Sequence, residues 1–335
     1  MRRILLFLIV CIQLFSYAGA QNSMTVMFWN TENLFDVYDD PGKNDEDFTP
    51  DGDYRWTIRR YRSKLDAVAR VVAAADEESA PAIVGLCEVE NDSVLKDITE
   101  RSPLRSIGYR YVMTDSPDQR GIDVALMYRR SYFRLIESKS LKVNLRPYGG
   151  SATRDILHVM GLIESGDTLD VFVCHWPSRR GGTDESEPMR LVAAGVVRNA
   201  LDSIFTVRRK PYVIIMGDLN EGCDDPAVRD GLKAEQRSKG AQLPDRELVT
   251  LMDGQPHGSY KYQGEWECYD QFVVSASLLN GLGCAEVIDA SVFTPDFMLA
   301  DDDNYGGQKP LRTYNGRRYQ NGYSDHLPIL LRLSY

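Results

Sequence analysis

Apolar and polar positions along this chain follow two rhythms. Short runs rich in β-branched and aromatic residues, each bounded by polar or Gly/Pro-rich turns, predict strands at 24–29, 82–87, 124–128, 169–174, 212–216, 271–274 and 327–333. Between them the period lengthens. Apolar side chains at 65, 68, 69 and 72 predict a helix over 59–75, and 189–204 has similar spacing. The central strands are apolar at consecutive positions, as in sheets covered on both faces. This mixture places the chain in the α/β (α+β) class. With no repeat, linker or low-complexity tract, residues 21–335 are expected to form a single domain.

The first twenty residues stand apart. MRRILLFLIVCIQLFSYAGA carries two arginines, an apolar stretch too short and interrupted for a comfortable membrane span, and small residues at Ala18, Gly19 and Ala20. The pattern predicts a signal peptide at 1–20, cleaved before Gln21, and hence an exported protein, periplasmic or secreted, without stable membrane insertion. Cys11 has no lipobox-like small residue before it, which argues against a lipid anchor. Composition adds that the remainder is globular, since 43% hydrophobic and 26% charged residues exclude intrinsic disorder. Net charge is −10, and −12 once Arg2 and Arg3 leave with the leader, so the chain offers a polyanion no global attraction. Five cysteines then remain, Cys87, Cys174, Cys223, Cys268 and Cys284. Their odd number and the lack of CxxC or Cys/His zinc spacing argue against a disulfide scaffold or zinc finger. Cys87 and Cys174 lie inside apolar runs and are expected to fill core volume.

Two long polar segments interrupt the pattern. Residues 36–56 (DVYDDPGKNDEDFTPDGDYRW) are acidic and rich in turn formers. The D-x-D-x-D-G spacing and terminal Glu of a calcium loop are not met, so a solvated acidic loop is expected. Residues 301–323 form a second such segment. Loops of this length in compact domains are often functional.

Ligand-type side chains recur where the strand runs stop. Asn30 and Glu32 follow the first run, Glu88 the second, His175 the fourth, and Asp218 with Asn220 the fifth, while Asp325 and His326 precede the last. Asp123 and Asp270 stand just before strand runs, and antiparallel pairing brings strand starts and ends to one edge. Any one of these residues has a structural reading, since Gly-Asp-x-Asn is good turn chemistry. As a set they hold several carboxylates, two carboxamides and two of the four histidines in the chain. Unpaired buried carboxylates shift their pKa or demand a cation.

The motifs GDLN and SDHLP, with the early Asn and the Glu of CEVE in the right order, resemble the endonuclease/exonuclease/phosphatase superfamily of metal-dependent phosphoesterases. The resemblance covers nearly the whole chain after the leader. It implies a four-layered α/β/β/α sandwich of two mixed, largely antiparallel sheets, deoxyribonuclease-I-like. It also implies site roles. Glu88 binds a divalent cation, Mg2+ with Mn2+ or Ca2+ as alternatives; Glu32 adds a direct or water-mediated contact, and Asp325 is a second candidate ligand. Asn30 positions the phosphate and holds Asp218, which orients or deprotonates the attacking water, and Asn220 lies beside the phosphate oxygens. His326, oriented by Asp270, contacts the phosphoryl group, and Asp123 orients a catalytic His175. Arg179, Arg180, Arg120 and Arg190 are candidates to grip phosphate. Gln271, in YDQF, departs from the better-known branches.

Elementary chemistry agrees with these roles. Mg2+ takes oxygen ligands and keeps several waters, so one or two carboxylates suffice. Phosphoryl transfer needs stabilisation of equatorial charge, which imidazolium and amide N–H groups supply. The substrate is less determined. A phosphodiester in nucleic acid is the leading expectation and a monomer is expected. A sphingomyelinase-like phospholipase or inositol phosphate phosphatase is the nearest alternative, and a catalytically silent binding protein comes from a different class. No apolar docking hairpin is evident, and Tyr305, Tyr314, Tyr319 and Tyr323 are candidates to stack on bases.

Overall fold

The computed structural model describes residues 23–237, 243–281 and 285–335. The predicted leader, Cys11 and Cys284 lie outside the described residues. In chain order, the strands of the two large sheets are β1 (Ser23–Leu34), β2 (Ile83–Val89), β3 (Arg110–Met113), β4 (Asp123–Tyr128), β5 (Phe133–Leu141), β6 (Ile156–Ile163), β7 (Thr168–His175), β8 (Tyr212–Asp218), β9 (Ala234–Gln236), β10 (Leu248–Thr250), β11 (Asp270–Ser275), β12 (Glu286–Val292) and β13 (Ile329–Ser334). One sheet runs β12-β13-β1-β2-β4-β3, the other β5-β6-β7-β8-β11-β10-β9. The pairs β1/β2, β7/β8 and β9/β10 are parallel. Every other neighbouring pair is antiparallel.

Side-chain alternation explains why the strand runs lack polar positions. In β1, Val26 and Phe28 enter the core between the sheets, while Met27 and Trp29 face the outer layer. In β8, Ile214 and Met216 point inward, and Val213 and Ile215 outward. Helix α1 (Ile58–Ala74) covers the first sheet with Leu65, Val68, Ala69 and Val72. Helix α2 (Thr183–Val207) covers the second with Ala193, Ala194, Val197 and Leu201. A buried Leu or Val contributes about 1.5–3 kcal/mol, so the apolar stripe on each helix is what binds it to its sheet. The result is the α/β/β/α sandwich, and Cys87 and Cys174 are fully buried within it. Among the described residues no helix is long and apolar enough to cross a membrane.

Several elements depart from the sequence expectation: strands β3, β6, β9, β10 and β12 are not predicted, and α2 and β5 differ for identifiable reasons. Helix α2 starts at Thr183 rather than 189 and runs through Pro188. A proline so near the helix start forfeits one backbone bond, and its fixed φ is already helical. Strand β5 gave no signal because most of its residues are exposed at a sheet edge, without an apolar face.

Candidate active site

Strand register assembles the candidate residues. His175 pairs with Asp218 across β7/β8, and Asp270 pairs with Asp218 across β8/β11. On the facing sheet, Asn30 interrupts β1 at a register shift, and Glu88 sits at a shift in β2. Glu32, Asn33, Glu88 and Asn220 all take positive φ, between 51° and 58°. Non-glycine residues held there cost about 1–3 kcal/mol each, and such strain clusters at functional sites. The close approach of β7 to β8 has its own requirement. A Cβ on Gly217 would collide with the Cys174 carbonyl oxygen and lie 2.7 Å from Cys174 Cβ.

Hydrogen bonds then fix each side chain. Asn30 Nδ2 donates to Asp218 Oδ2 at 3.1 Å, and Asn220 N donates to Asp218 Oδ1 at 3.0 Å. Ser324 Oγ donates to Asn30 O at 2.6 Å and accepts the His326 N–H at 3.1 Å, tying the SDHLP turn to β1. His326 Nδ1 lies 2.7 Å from Asp270 Oδ2, its Nε2 is 3.8 Å from Asp218 Oδ2, and Tyr260 stacks on its ring with centroids 4.7 Å apart. His175 Nε2 lies 3.8 Å from Asp218 Oδ2 and 3.9 Å from Glu88 Oε1. Asn30, Glu88, His175, Asp218, Asn220, Tyr260 and His326 line one cavity of about 820 Å³, with Arg120, Arg154, Arg180 and Tyr262 on its walls.

The two histidines are driven apart electrostatically. Burial pushes the His326 imidazolium down, but the Asp270 and Asp218 carboxylates outweigh it and raise the group well above the ordinary histidine range. Burial, reinforced by Arg154 and Arg120, holds His175 well below that range and therefore neutral. Asp218 is pushed up to about 7 by burial, with His326 opposing and Asp270 adding to the rise. One site thus holds a cationic imidazole, a neutral imidazole and a carboxylate titrating near neutrality.

The donor set also suits a hard cation. Glu88 Oε2 accepts the Asn33 N–H at 2.8 Å, while Oε1 faces the cavity with only Arg120 at 3.4 Å and His175 nearby. Ligand atoms of Asp218, Asp270 and His326 lie within 4.8 Å of one another, and Asp270 Oδ1 is buried without a hydrogen-bond partner among the described residues. Oxygen-rich donors with an unspent buried carboxylate oxygen match the requirements of a divalent ion.

Several sequence expectations are corrected. Asp123 does not orient His175: its carboxylate accepts from Thr114 Oγ1 and, at 3.2 Å, from Ser116 N, and His175 Nδ1 has no partner among the described residues. As the first residue of β4, opposite Val89, Asp123 is held by the turn that precedes it. Glu32 and Asp325 are not free for a metal. Arg312 donates from Nε to Glu32 at 2.9 Å and from its terminal nitrogen to Asp325 at 3.0 Å, and Thr313 N takes the other Glu32 oxygen. Arg190 is fully buried on Glu221, far from solvent phosphate. Arg179 is committed to Asn220 O and Asp225 and lies over the Tyr269 ring, so it steadies the GDLN turn. Tyr314 and Tyr323 are core residues, leaving Tyr305 as the well-exposed ring of that loop. Gln271 is fully buried and bonded to the Glu221 and Cys268 carbonyls.

Residues the sequence did not flag include Arg154, Tyr260, Tyr262 and Arg312. Arg154 is buried, donates to Asp118 at 3.2 Å and to Trp176 O at 2.8 Å, and its Nε has no partner among the described residues. None sits in a motif; Tyr269 alone, beside Asp270, carried a positional hint.

Residues 25–335 match the family profile described as Endonuclease/Exonuclease/phosphatase family. No curated protein matches by sequence. Among solved structures, D. rerio TDP2 complexed with a single strand DNA product superposes with TM-score 0.55 at 16% identity, covering 93% of this chain and 99% of that one. Truncated Caenorhabditis elegans TDP2 gives 0.58 at 18% identity, covering 93% and 98%. A Bacteroides thetaiotaomicron mannosyl-6-phosphatase, Bt3783, gives 0.57 at 18%, covering 93% and 100%. At these identities the likeness is one of fold.

Proposed function

The chain belongs to the endonuclease/exonuclease/phosphatase family, and from that premise we propose that it is an exported, divalent-metal-dependent phosphodiesterase acting on nucleic acid. The observation that carries the chemistry is the convergence of Asn30, Glu88, His175, Asp218, Asn220 and His326 on one cavity. The leader at 1–20 supports export.

Glu88, through its cavity-facing oxygen, would hold Mg2+ with Asp218 nearby, and the ion supplies Lewis acidity toward a phosphoryl oxygen. The chain's own residues do the rest. Asp218, with both oxygens fixed by Asn30 and Asn220, accepts the proton of the attacking water. His326 donates from Nε2 to a phosphoryl oxygen, and its bond to Asp270 keeps that nitrogen turned to the cavity. His175, neutral, meets the same group from the other sheet. Arg120, Arg154 and Arg180 place positive charge where the phosphate backbone would pass.

Nucleic acid is favoured by the aromatic wall beside His326. Tyr260 stacks on Tyr269 with centroids 5.8 Å apart, and Tyr262 is 56% exposed at the cavity mouth, a surface that suits an unstacked base. A second reading, a sugar phosphate monoester, is favoured by the Glu267 and Asp325 carboxylates on the same cavity, which can accept hydroxyl hydrogen bonds. A substrate panel at fixed salt tests both: single-stranded and plasmid DNA, RNA, a sugar 6-phosphate and bis(p-nitrophenyl) phosphate, with EDTA controls. EDTA-sensitive cleavage of DNA or RNA is expected. Turnover of the sugar phosphate alone would replace the first reading with the second, and no turnover of any ester would remove both.

A further inference from the structure

The acidic segment 36–56 is pinned rather than freely solvated. Lys43 Nζ donates to Ser116 O and Asp118 O, both at 3.0 Å, and Asn44 N donates to Gln119 O at 2.7 Å. A few residues on, Phe48 stacks on Phe35 with ring centroids 4.4 Å apart. Between these two anchors the chain turns Asp45 inward, to 2% exposure.

Asp45 is buried among like charges. One carboxylate oxygen from each of Asp39, Asp45 and Glu46 lies within 4.8 Å of the other two. Asp45 Oδ2 accepts the Asp40 N–H at 3.0 Å, but Oδ1 is buried with no hydrogen-bond partner among the described residues. Lys43, the basic residue between Asp39 and Glu46, spends its ammonium on the carbonyls of the neighbouring turn. Burial first, then Asp39 and Asp40, raise the Asp45 carboxyl above its ordinary value. A buried carboxylate oxygen without a donor is costly, and natural folds pair such atoms with protein, water or a cation.

We propose that Asp39, Asp45 and Glu46 form a calcium site separate from the catalytic cavity. The donors are all oxygen, and they come from a turn whose two outer members, Asp39 and Glu46, remain open to water. Ca2+ accepts six to eight oxygens in irregular geometry, whereas Mg2+ demands near-ideal octahedral order. The ligands fall at positions 39, 45 and 46, which is why the calcium-loop spacing test on the sequence does not find them. The site also has a path to the cavity wall. Lys43 and Asn44 hold the 116–119 stretch that leads into Arg120, so filling the site stiffens that wall.

The test uses the full chain after EDTA treatment, in a Glu88→Gln background that removes the catalytic ion's main ligand. Calorimetric titration with Ca2+ is expected to find one site, and saturation should raise Tm by a shift on the order of 5 °C. Adding Asp45→Asn should abolish both the binding heat and the shift, while the calcium-free Tm stays level or rises because a buried charge has gone. Asp39→Asn, at an exposed position, should weaken Ca2+ binding at least about tenfold with the calcium-free Tm unchanged. The proposal is overturned if Glu88→Gln protein binds no Ca2+, if both loop variants keep the parent's stoichiometry and shift, or if Mg2+ at equal concentration gives the same shift.

Discussion

His326 and Asp270 are joined by one hydrogen bond, Nδ1 to Oδ2 at 2.7 Å, with both side chains buried and the second ring nitrogen 3.8 Å from Asp218. The pair therefore has two separable functions, a structural charge balance and a chemical one. Removing His326 alone strands a buried Asp270 whose Oδ1 already lacks a partner, so His326→Ala should cost about 3–5 kcal/mol of stability. Asp270→Asn with His326→Gln should restore most of the Tm. Turnover of bis(p-nitrophenyl) phosphate should stay down about 10²–10⁴-fold in both proteins. Recovery of turnover along with stability in the double variant would show that His326 has only a structural part.

Glu88 presents one oxygen fixed by the Asn33 N–H and one held only by a 3.4 Å contact to Arg120, so metal removal and Glu88→Gln should act on the same step. EDTA is expected to abolish hydrolysis, Mg2+ or Mn2+ to restore it, and Glu88→Gln to raise the metal concentration for half-maximal rate at least about tenfold. Full activity in EDTA would remove metal from the mechanism.

Gly217 allows β7 and β8 to approach between His175 and Asp218. Gly217→Ala places a methyl on the Cys174 carbonyl, and overpacking of this kind costs about 1–3 kcal/mol. The expected result is a lowered Tm together with a kcat loss larger than any change in KM, because the displaced groups are the reacting ones. An unaltered crystal structure and kcat would contradict the close-approach argument.

Arg312 bridges Glu32 and Asp325, and its side chain is 45% exposed, which tempers the ion-pair contribution. Arg312→Ala should destabilise by about 1–3 kcal/mol, chiefly because buried Glu32 loses a donor. Glu32→Gln in the same background should recover part of that loss in urea unfolding. Absence of any recovery would mean the cost comes from the Asp325 side.

Glu90 carries a pH signature. Burial, then Asp36, Asp45 and Asp40, push its carboxyl up to about 8, with the Asp36 N–H bond opposing. The folded state therefore binds a proton that the unfolded chain releases from about pH 4.3 upward. This contribution to stability is fully present below that value and is lost as pH rises to about 8, by a few kcal/mol. Glu90→Gln should flatten the decline in thermal stability over that window; an unchanged slope would assign it to other groups.

Much of this molecule was legible in one dimension because burial imposes periodicity. Strands covered on both faces need apolar residues at consecutive positions, so β1, β2, β4, β7, β8 and β11 could be read directly, whereas exposed β5 could not. The motifs GDLN and SDHLP mark strand ends, and their place in the chain identified Asp218, Asn220 and His326 as candidates. Pairing was another matter. Asp123 and His175 were matched by position, but the carboxylate turned to Thr114 and Ser116, because an unsatisfied acceptor takes the nearest donor.

The sequence by itself determined the layers, the family and the set of side chains brought to one sheet edge, since these follow from alternation and local motif chemistry. Only the tertiary structure decided which of those side chains are free. Arg312, nearly three hundred residues from Glu32, withdraws that carboxylate from metal binding, and Arg154 and Tyr260 join the cavity from segments without a motif. It also decided that Asp45, one acid among many in a polar loop, is buried with one carboxylate oxygen that has no hydrogen-bond partner among the described residues. Hydrogen bonds and ion pairs between distant segments depend on where the folded backbone places their ends, and no local pattern in the chain records that distance.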